Sequence, residues 1–345
     1  MMKINKTKAI LISIYGTVHA VVDFCCAALL YSFVGKVEIL NLIQLVILYN
    51  ILAFGLQFIF GFIADKSKQA ENFAILGCLF LIAGIFIWNN PMLTVILIGI
   101  GNALFHVGGG IVSLNMGNGR AKLPGLFVAP GAIGLFLGTL CSLIPNFNKI
   151  WLSILPLISV GLLLFMPVPN EKQKIYENKA NIPIYSIIVL LILISVCIRS
   201  FIGLSYDFSA KENIYLMIIM VTAVAFGKAI GGFLADKFGM YNTAIIGLLL
   251  SIPLLKYGYN PYLAIVGMFC FNFTMPITLT SLANMMPNYK GFSFGLTTLS
   301  LLIGYLPIFL EYKISQSMLY FEIILISVII TAIALKLYEK LFNRP

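Results

Sequence analysis

The sequence predicts an all-α membrane protein of about 12 transmembrane helices in two pseudo-symmetric six-helix bundles. Three observations carry that prediction: an apolar composition, a series of span-length apolar runs, and a motif repeated in each half of the chain. Of the 345 residues, 61% are hydrophobic and 10% charged, and the mean hydropathy is +1.02. Soluble domains carry about 25% charged residues. No soluble chain of this length can hide so much apolar surface, so lipid must act as its solvent.

The runs fall at 9–34, 39–64, 72–88, 91–116, 123–144, 150–167, 183–207, 213–235, 241–256, 261–286, 292–310 and 319–338. A span needs roughly 20 apolar residues. Twelve spans therefore fit only if almost every loop is minimal, which leaves no room for a catalytic or nucleic-acid-binding domain. The stretch from Met1 to Lys8 is basic and leads into the first run without a small-residue cleavage site, so it reads as a retained first helix. The longest polar connection, Pro169 to Ile182, follows the sixth run. It divides the chain into an N-terminal half (1–168), a linker (169–182) and a C-terminal half (183–345).

The net charge of +10 marks sidedness here. Fifteen Lys and Arg fall in connections on one side, from Lys3, Lys6 and Lys8 through Arg120, Lys122 and Lys172 to Lys340 and Arg344. The other side collects five: Lys36, Lys149, Lys211, Lys256 and Lys313. The positive-inside bias then places both termini in the cytoplasm, in a bacterial-type inner (plasma) membrane. The six cysteines all lie in apolar runs without metal-ligand spacing and read as small buried hydrophobes.

The repeat is Gly61-Phe62-Ile63-Ala64-Asp65-Lys66 at the end of the second run and Gly232-Phe233-Leu234-Ala235-Asp236-Lys237 at the end of the eighth. Their offset of 171 residues is about half the chain. Related halves with a mid-membrane site between them are a common plan of secondary transporters.

These two hexamers resemble the major facilitator superfamily signature G-x-L-x-D-R/K-x-G-R-R. Lys68 stands where that signature has glycine, whereas the second copy keeps Gly239. A narrower resemblance is to fosmidomycin-resistance-type efflux proteins. It rests on Val18-His19-Ala20-Val21-Val22-Asp23-Phe24, on Gly99-Ile100-Gly101-Asn102-Ala103-Leu104-Phe105-His106, and on Ala129-Pro130-Gly131-Ala132-Ile133-Gly134. Val107 and Gly108 occupy the places where those proteins carry Pro-Glu. The resemblance implies the major facilitator fold, alternating access, and proton-coupled efflux of a small molecule by proton antiport. It also implies that spans one, four and seven line the central cavity, and that the motif residues Asp65, Lys66, Asp236 and Lys237 gate the conformational change.

Independent of family, the intramembrane ionisable groups, leaving aside charges at the cytoplasmic and outer ends of the runs, are few: His19, Asp23, His106, Arg199, Lys228 and Glu322. A charge at the bilayer centre costs several kcal/mol, so such groups face a watered cavity or one another. His19 and Asp23 are four apart and share a helical face. Asn102, His106, Gly109 and Ser113 form a stripe on the fourth run, as Ser195, Arg199 and Tyr206 do on the seventh. Such stripes serve either as cavity walls or as helix-packing glue.

Several alternatives stay open at this stage. His19–Asp23 is a structural ion pair or a titratable pair. Arg199 neutralises Asp23 or binds an anionic substrate. Lys228 snorkels to the interface or gates. The expected substrate- and proton-binding residues are thus His19, Asp23, Asn102, His106 and Arg199. The expected gating residues are Asp65, Lys66, Lys228, Asp236 and Lys237. No HExxH, Ser-His-Asp, CxxC or Walker sequence occurs, so neither an enzyme, a cofactor nor a metal is expected. The expected partners are a small-molecule substrate, protons and the bilayer, with the protein a monomer that binds no nucleic acid. The rival readings are a proton-independent facilitator or importer of the same fold, and a membrane sensor or assembly protein that does not transport.

Overall fold

The computed structural model describes residues 6–166, 168, 182–309 and 319–342. Among these residues the chain forms twelve helical segments and no strand. They are α1 (Lys6–Tyr31), α2 (Ile39–Ser67), α3 (Ala70–Phe86), α4 (Pro91–Gly117), α5 (Lys122–Ser142) and α6 (Lys149–Phe165). The second series is α7 (Ile182–Ser205), α8 (Ile214–Phe238), α9 (Met240–Lys256), α10 (Pro261–Met285), α11 (Lys290–Phe309) and α12 (Leu319–Phe342). Each matches one expected run. The expected linker lies outside the described residues apart from Ile182, as do the first five and last three residues.

Eight of these helices are long and apolar enough to cross a membrane, and α3, α6 and α9 are shorter apolar helices. At about 1.5 Å per residue, the 17 residues of α3 and of α9 span somewhat less than the hydrocarbon thickness of roughly 30 Å. The chain is a multi-pass membrane protein.

Two runs are less regular than their hydropathy suggests. Helix α2 carries a π-helical turn at Ile51–Gly55, the kind of bulge that concentrates at functional places in helices. Helix α10 breaks between Phe271 and Thr274. Pro276 explains that break, since it lacks an N–H and its ring clashes with the carbonyl four residues earlier, here that of Asn272. Both α4 and α10 start from an Asn-Pro pair. Asn90 and Asn260 accept backbone N–H groups of Leu93 and Tyr262, while Pro91 and Pro261 take the first helical position.

Helix pairing repeats when six is added to each helix number. Helix α1 packs on α5 as α7 packs on α11, and α3 on α4 as α9 on α10. The pair α5–α8 has α11–α2 as its counterpart, and these two contacts join the first six helices to the last six. The largest buried apolar cluster draws on α1–α6, with only Leu279, Ala283 and Phe294 from beyond. Two further clusters draw on α7–α12 alone. Bilayer tails are as apolar as these side chains, so helix association depends on close packing of small residues. Gly61 meets Gly291 across α2–α11, and Gly232 meets the Ala121 carbonyl across α5–α8. A Cβ at either Gly61 or Gly232 would collide with backbone.

Candidate functional site

Midway along α1, His19 and Asp23 point at the middle of α4. Asp23 Oδ2 lies 3.2 Å from His19 Nε2, and its Oδ1 lies 3.6 Å from His106 Nε2. Asn102 completes the group by donating from Nδ2 to Asp23 Oδ1 over 3.0 Å. The four residues expected from the sequence on these two helices therefore meet at one carboxylate.

The other ring nitrogens fix what the group can do. His19 Nδ1 lies 2.7 Å from the Phe127 carbonyl, and His106 Nδ1 lies 2.9 Å from the Asn102 carbonyl. A carbonyl only accepts, so each Nδ1 carries the hydrogen. In neutral imidazoles both Nε2 atoms would then present bare lone pairs to a carboxylate. Acceptors facing acceptors in a buried place are unfavourable, and one proton shared among the three side chains relieves the conflict. The three ligand-type atoms lie within 4.8 Å of one another, a spacing a divalent cation would also tolerate. A proton needs no rearrangement to sit there.

The surroundings pack closely around the cluster. His19 stacks on Phe127 with centroids 4.8 Å apart and meets His106 edge-on at 4.5 Å. His19 is buried and Asp23 retains slight access. Gly131 on α5 closes the remaining side. A Cβ there would fall 2.6 Å from Asp23 Oδ2 and closer still to His19 Nε2. Gly131 and the Phe127 carbonyl were not among the expected site residues. The Pro130-Gly131 pair beside a histidine-bearing helix was the available signal, but a main-chain acceptor leaves no mark in the sequence.

Arg199 does not join Asp23. It sits on α7, 9% exposed, lining a cavity of about 30 Å³ together with Val128, Thr278, Phe294, Thr297 and Leu301 among others. Its Nε has no hydrogen-bond partner. Phe294 also approaches Phe127, centroids 6.3 Å apart, so one aromatic pair separates the cavity from His19. The seventh-helix stripe divides in the structure. Ser195 bonds Thr331 of α12 at 2.6 Å and Tyr206 donates to the Leu255 carbonyl at 3.4 Å, so both serve packing. Lys228 on α8 is half-buried, and its backbone carbonyl lies against Gly125 of α5.

The two motif aspartates cross between the helix series. Asp65, at the end of α2, accepts from the Gly291 and Phe292 N–H groups at the start of α11, at 2.9 and 2.8 Å. Asp236, at the end of α8, accepts from the Ala121 N–H ahead of α5 at 2.8 Å. Each caps the N-terminus of a helix from the other series, where unpaired N–H groups and the helix dipole favour an anion. The motif lysines lie beside these contacts. Lys66 and Lys237 are exposed and lie over Phe62 and Phe238, at 4.5 and 4.8 Å from the ring centroids.

With this geometry in view, the chain can be set beside known proteins. Its structure is similar to the human organic anion transporter MFSD10 (TETRAN), with a TM-score of 0.70 and 11% identity over 94% of this chain and 99% of that one. It is similar to the E. coli fucose:proton symporter FucP, with a TM-score of 0.62 and 10% identity over 95% and 99% of the two chains. A second FucP structure, a major facilitator superfamily transporter in its outward conformation, gives a TM-score of 0.60 at 13% identity over 94% and 99%. No protein-family model and no curated protein sequence matches the chain. At these identities the likeness shows the fold: this chain has the fold of major facilitator superfamily transporters. The narrower resemblance to fosmidomycin-resistance-type efflux proteins rests on the motifs alone.

Proposed function

We propose that this chain is a secondary transporter that moves a small molecule by alternating access, coupled to protons and working in the export direction. The observation that carries the reading is the Asp23 carboxylate held between two imidazoles whose Nδ1 hydrogens are already committed. In such a cluster one proton changes the balance of the whole group, and its hold on that proton follows the access of water. Export is the direction that the efflux-type motifs on α1, α4 and α5 imply.

Residues 1–168 and 183–345 would form two rocking six-helix bundles joined by the 169–182 linker. The repeated pairing pattern and the separate buried clusters support that division. Both termini and the Asp65 and Asp236 ends would face the cytoplasm, in keeping with the basic residues at that end. The present conformation, with those ends clamped, is then the one closed toward the cytoplasm. Asp65 and Asp236 hold it shut, while Lys66 and Lys237 lie beside the clamp. Lys228, on α8 ahead of Asp236, would take part in the gating. A monomer suffices, because each cross-contact is made within one chain.

The test is a pH-sensitive dye inside proteoliposomes while candidate substrates are added outside. A transported substrate should move protons in the opposite sense, and Asp23→Asn should remove the proton signal. Substrate movement with no proton signal in wild type would replace this reading by a facilitator. No movement of any compound, with intact binding, would favour a sensor.

A further inference from the structure

We infer that the transported molecule is a small organic anion whose carboxylate or phosphate-type head is seated by Arg199, with the Lys228 charge adding to the attraction. This rests on the transporter reading above and names the substrate class of the same central region.

The argument begins with charge accounting among the described residues. Every acid except Asp23 lies near a helix end or in a connection. Asp23 is engaged by His19, His106 and Asn102. Arg199 therefore has no carboxylate, although it is buried and its Nε has no partner. Lys228 lies within electrostatic reach of Arg199 and of Asp23, yet no hydrogen bond or ion pair engages its ammonium. Two neighbouring cations in a low-dielectric place repel each other and forfeit hydration, so they persist where something intermittently pays that debt.

The cavity beside Arg199 indicates what that something is. Its hydroxyls cannot supply the recognition, because Thr278, Thr297 and Thr298 all donate to backbone carbonyls. Recognition of an oxyanion is left to the guanidinium fork, which matches carboxylate and phosphate geometry, and to the ammonium as a point charge. Val128, Met275, Leu279, Phe294 and Leu301 give the rest of the wall an apolar character suited to a hydrocarbon or aromatic body. At about 30 Å³ the space holds water but no such body, so the substrate enters as the helices part. A neutral or cationic substrate would leave the Arg199 guanidinium uncompensated.

The experiment is thermal unfolding of purified wild-type protein titrated with benzoate and phenylphosphonate, against benzamide and benzylamine as neutral and cationic matches of shape. The expected result is saturable stabilisation by the two anions alone. Arg199→Gln should weaken it roughly tenfold or more, and Arg199→Lys less, since the fork is lost but the charge is kept. Should Arg199→Gln not fold, Thr297→Asp provides an independent route: a carboxylate built into the cavity wall should stabilise the empty protein and abolish the response to benzoate. Equal stabilisation by benzamide or benzylamine, or an anion response that survives Arg199→Gln or Thr297→Asp, would overturn the inference. Binding is read here without any gradient, whereas proton coupling is read by flux. Flux with no anion preference thus sinks this inference alone, and anion binding without proton movement sinks only the coupling.

Discussion

The two halves of the chain keep the same clamp but carry opposite charges at mid-membrane. The first half places an acid between two histidines on α1 and α4; the second places two cations on α7 and α8, neither of them ion-paired among the described residues. At the ends of α2 and α8, by contrast, Asp65 and Asp236 do the same work, each capping a helix of the other half. The repeated motif keeps these contacts alike in both halves, and the middle differs. On the proposed reading, closing and opening would be symmetric while the chemistry is divided, protons on one side of the cavity and ligand on the other.

The largest effect that could break this division is at Asp23. Asp23→Asn should reduce gradient-driven transport in proteoliposomes to the level of empty vesicles. Exchange without a gradient should persist, because rocking needs no net proton transfer. His19→Ala should disturb the pH profile more than His106→Ala, since His19 is the closer partner and is itself anchored to Phe127. Loss of exchange together with driven transport would show that the acid belongs to the ligand seat and that the halves are not divided in this way.

Next in size is Gly131→Ala, which leaves every polar group in place. Its methyl group would strike His19 Nε2 and Asp23 Oδ2, so the pair must part or α5 must retreat from α1. The expected outcome is a large fall in driven transport and a lower unfolding temperature, on the scale of about 1–3 kcal/mol for overpacking. A Gly131→Ala protein with a wild-type pH profile would show that the contact between the two side chains is not what couples transport.

The clamp itself is not evenly built, and that asymmetry can be measured. Asp65 is half-buried and accepts from the Gly291 and Phe292 N–H groups, whereas Asp236 is exposed, so its bonds to the Ala121 and Lys122 N–H groups compete with water. Asn keeps a single acceptor and no charge. Asp65→Asn should therefore favour the parted state by about 1–2 kcal/mol, and Asp236→Asn by about half as much. Cross-linking yield between cysteine pairs placed at the α2–α11 and α5–α8 ends would report both. Equal yields in the two variants would mean the halves close with equal strength.

Much of this was legible in the sequence for reasons that are physical and local. Lipid demands long apolar runs, so twelve runs gave twelve helical segments; charge burial is costly, so a short roster of intramembrane ionisable residues already contained His19, Asp23, His106 and Arg199. Tertiary relations were not legible. Nothing in the spacing tells that Asp65 bonds Gly291, 226 positions away, or that the Phe127 carbonyl orients His19. The break in α10 was hidden because hydropathy records no geometry, although Pro276 sat within it. Ser195 shows the converse: a polar residue on the expected face that turns to α12 instead.

The smallest effect, at the ends of the repeated motif, tests how faithfully the halves mirror each other. Lys68 and Gly239 are equivalent by the 171-residue offset, and both have positive φ, 57° and 92°. Their ψ angles differ, however. Lys68, at ψ 29°, is in the ordinary left-handed region, while Gly239, at ψ 149°, is in a region essentially reserved for glycine. A lysine tolerates the first at a cost of about 1 kcal/mol and cannot tolerate the second without the turn rearranging. Lys68→Gly should therefore be mildly stabilising, by about 0.5 kcal/mol once the greater flexibility of unfolded glycine is counted. Gly239→Lys should destabilise by about 1–3 kcal/mol. Unfolding temperatures of the two single variants decide the matter. If Gly239→Lys were as harmless as the lysine already present at position 68, the two turns would be interchangeable, and the mirror between the halves would extend beyond the aspartates to the loops that follow them.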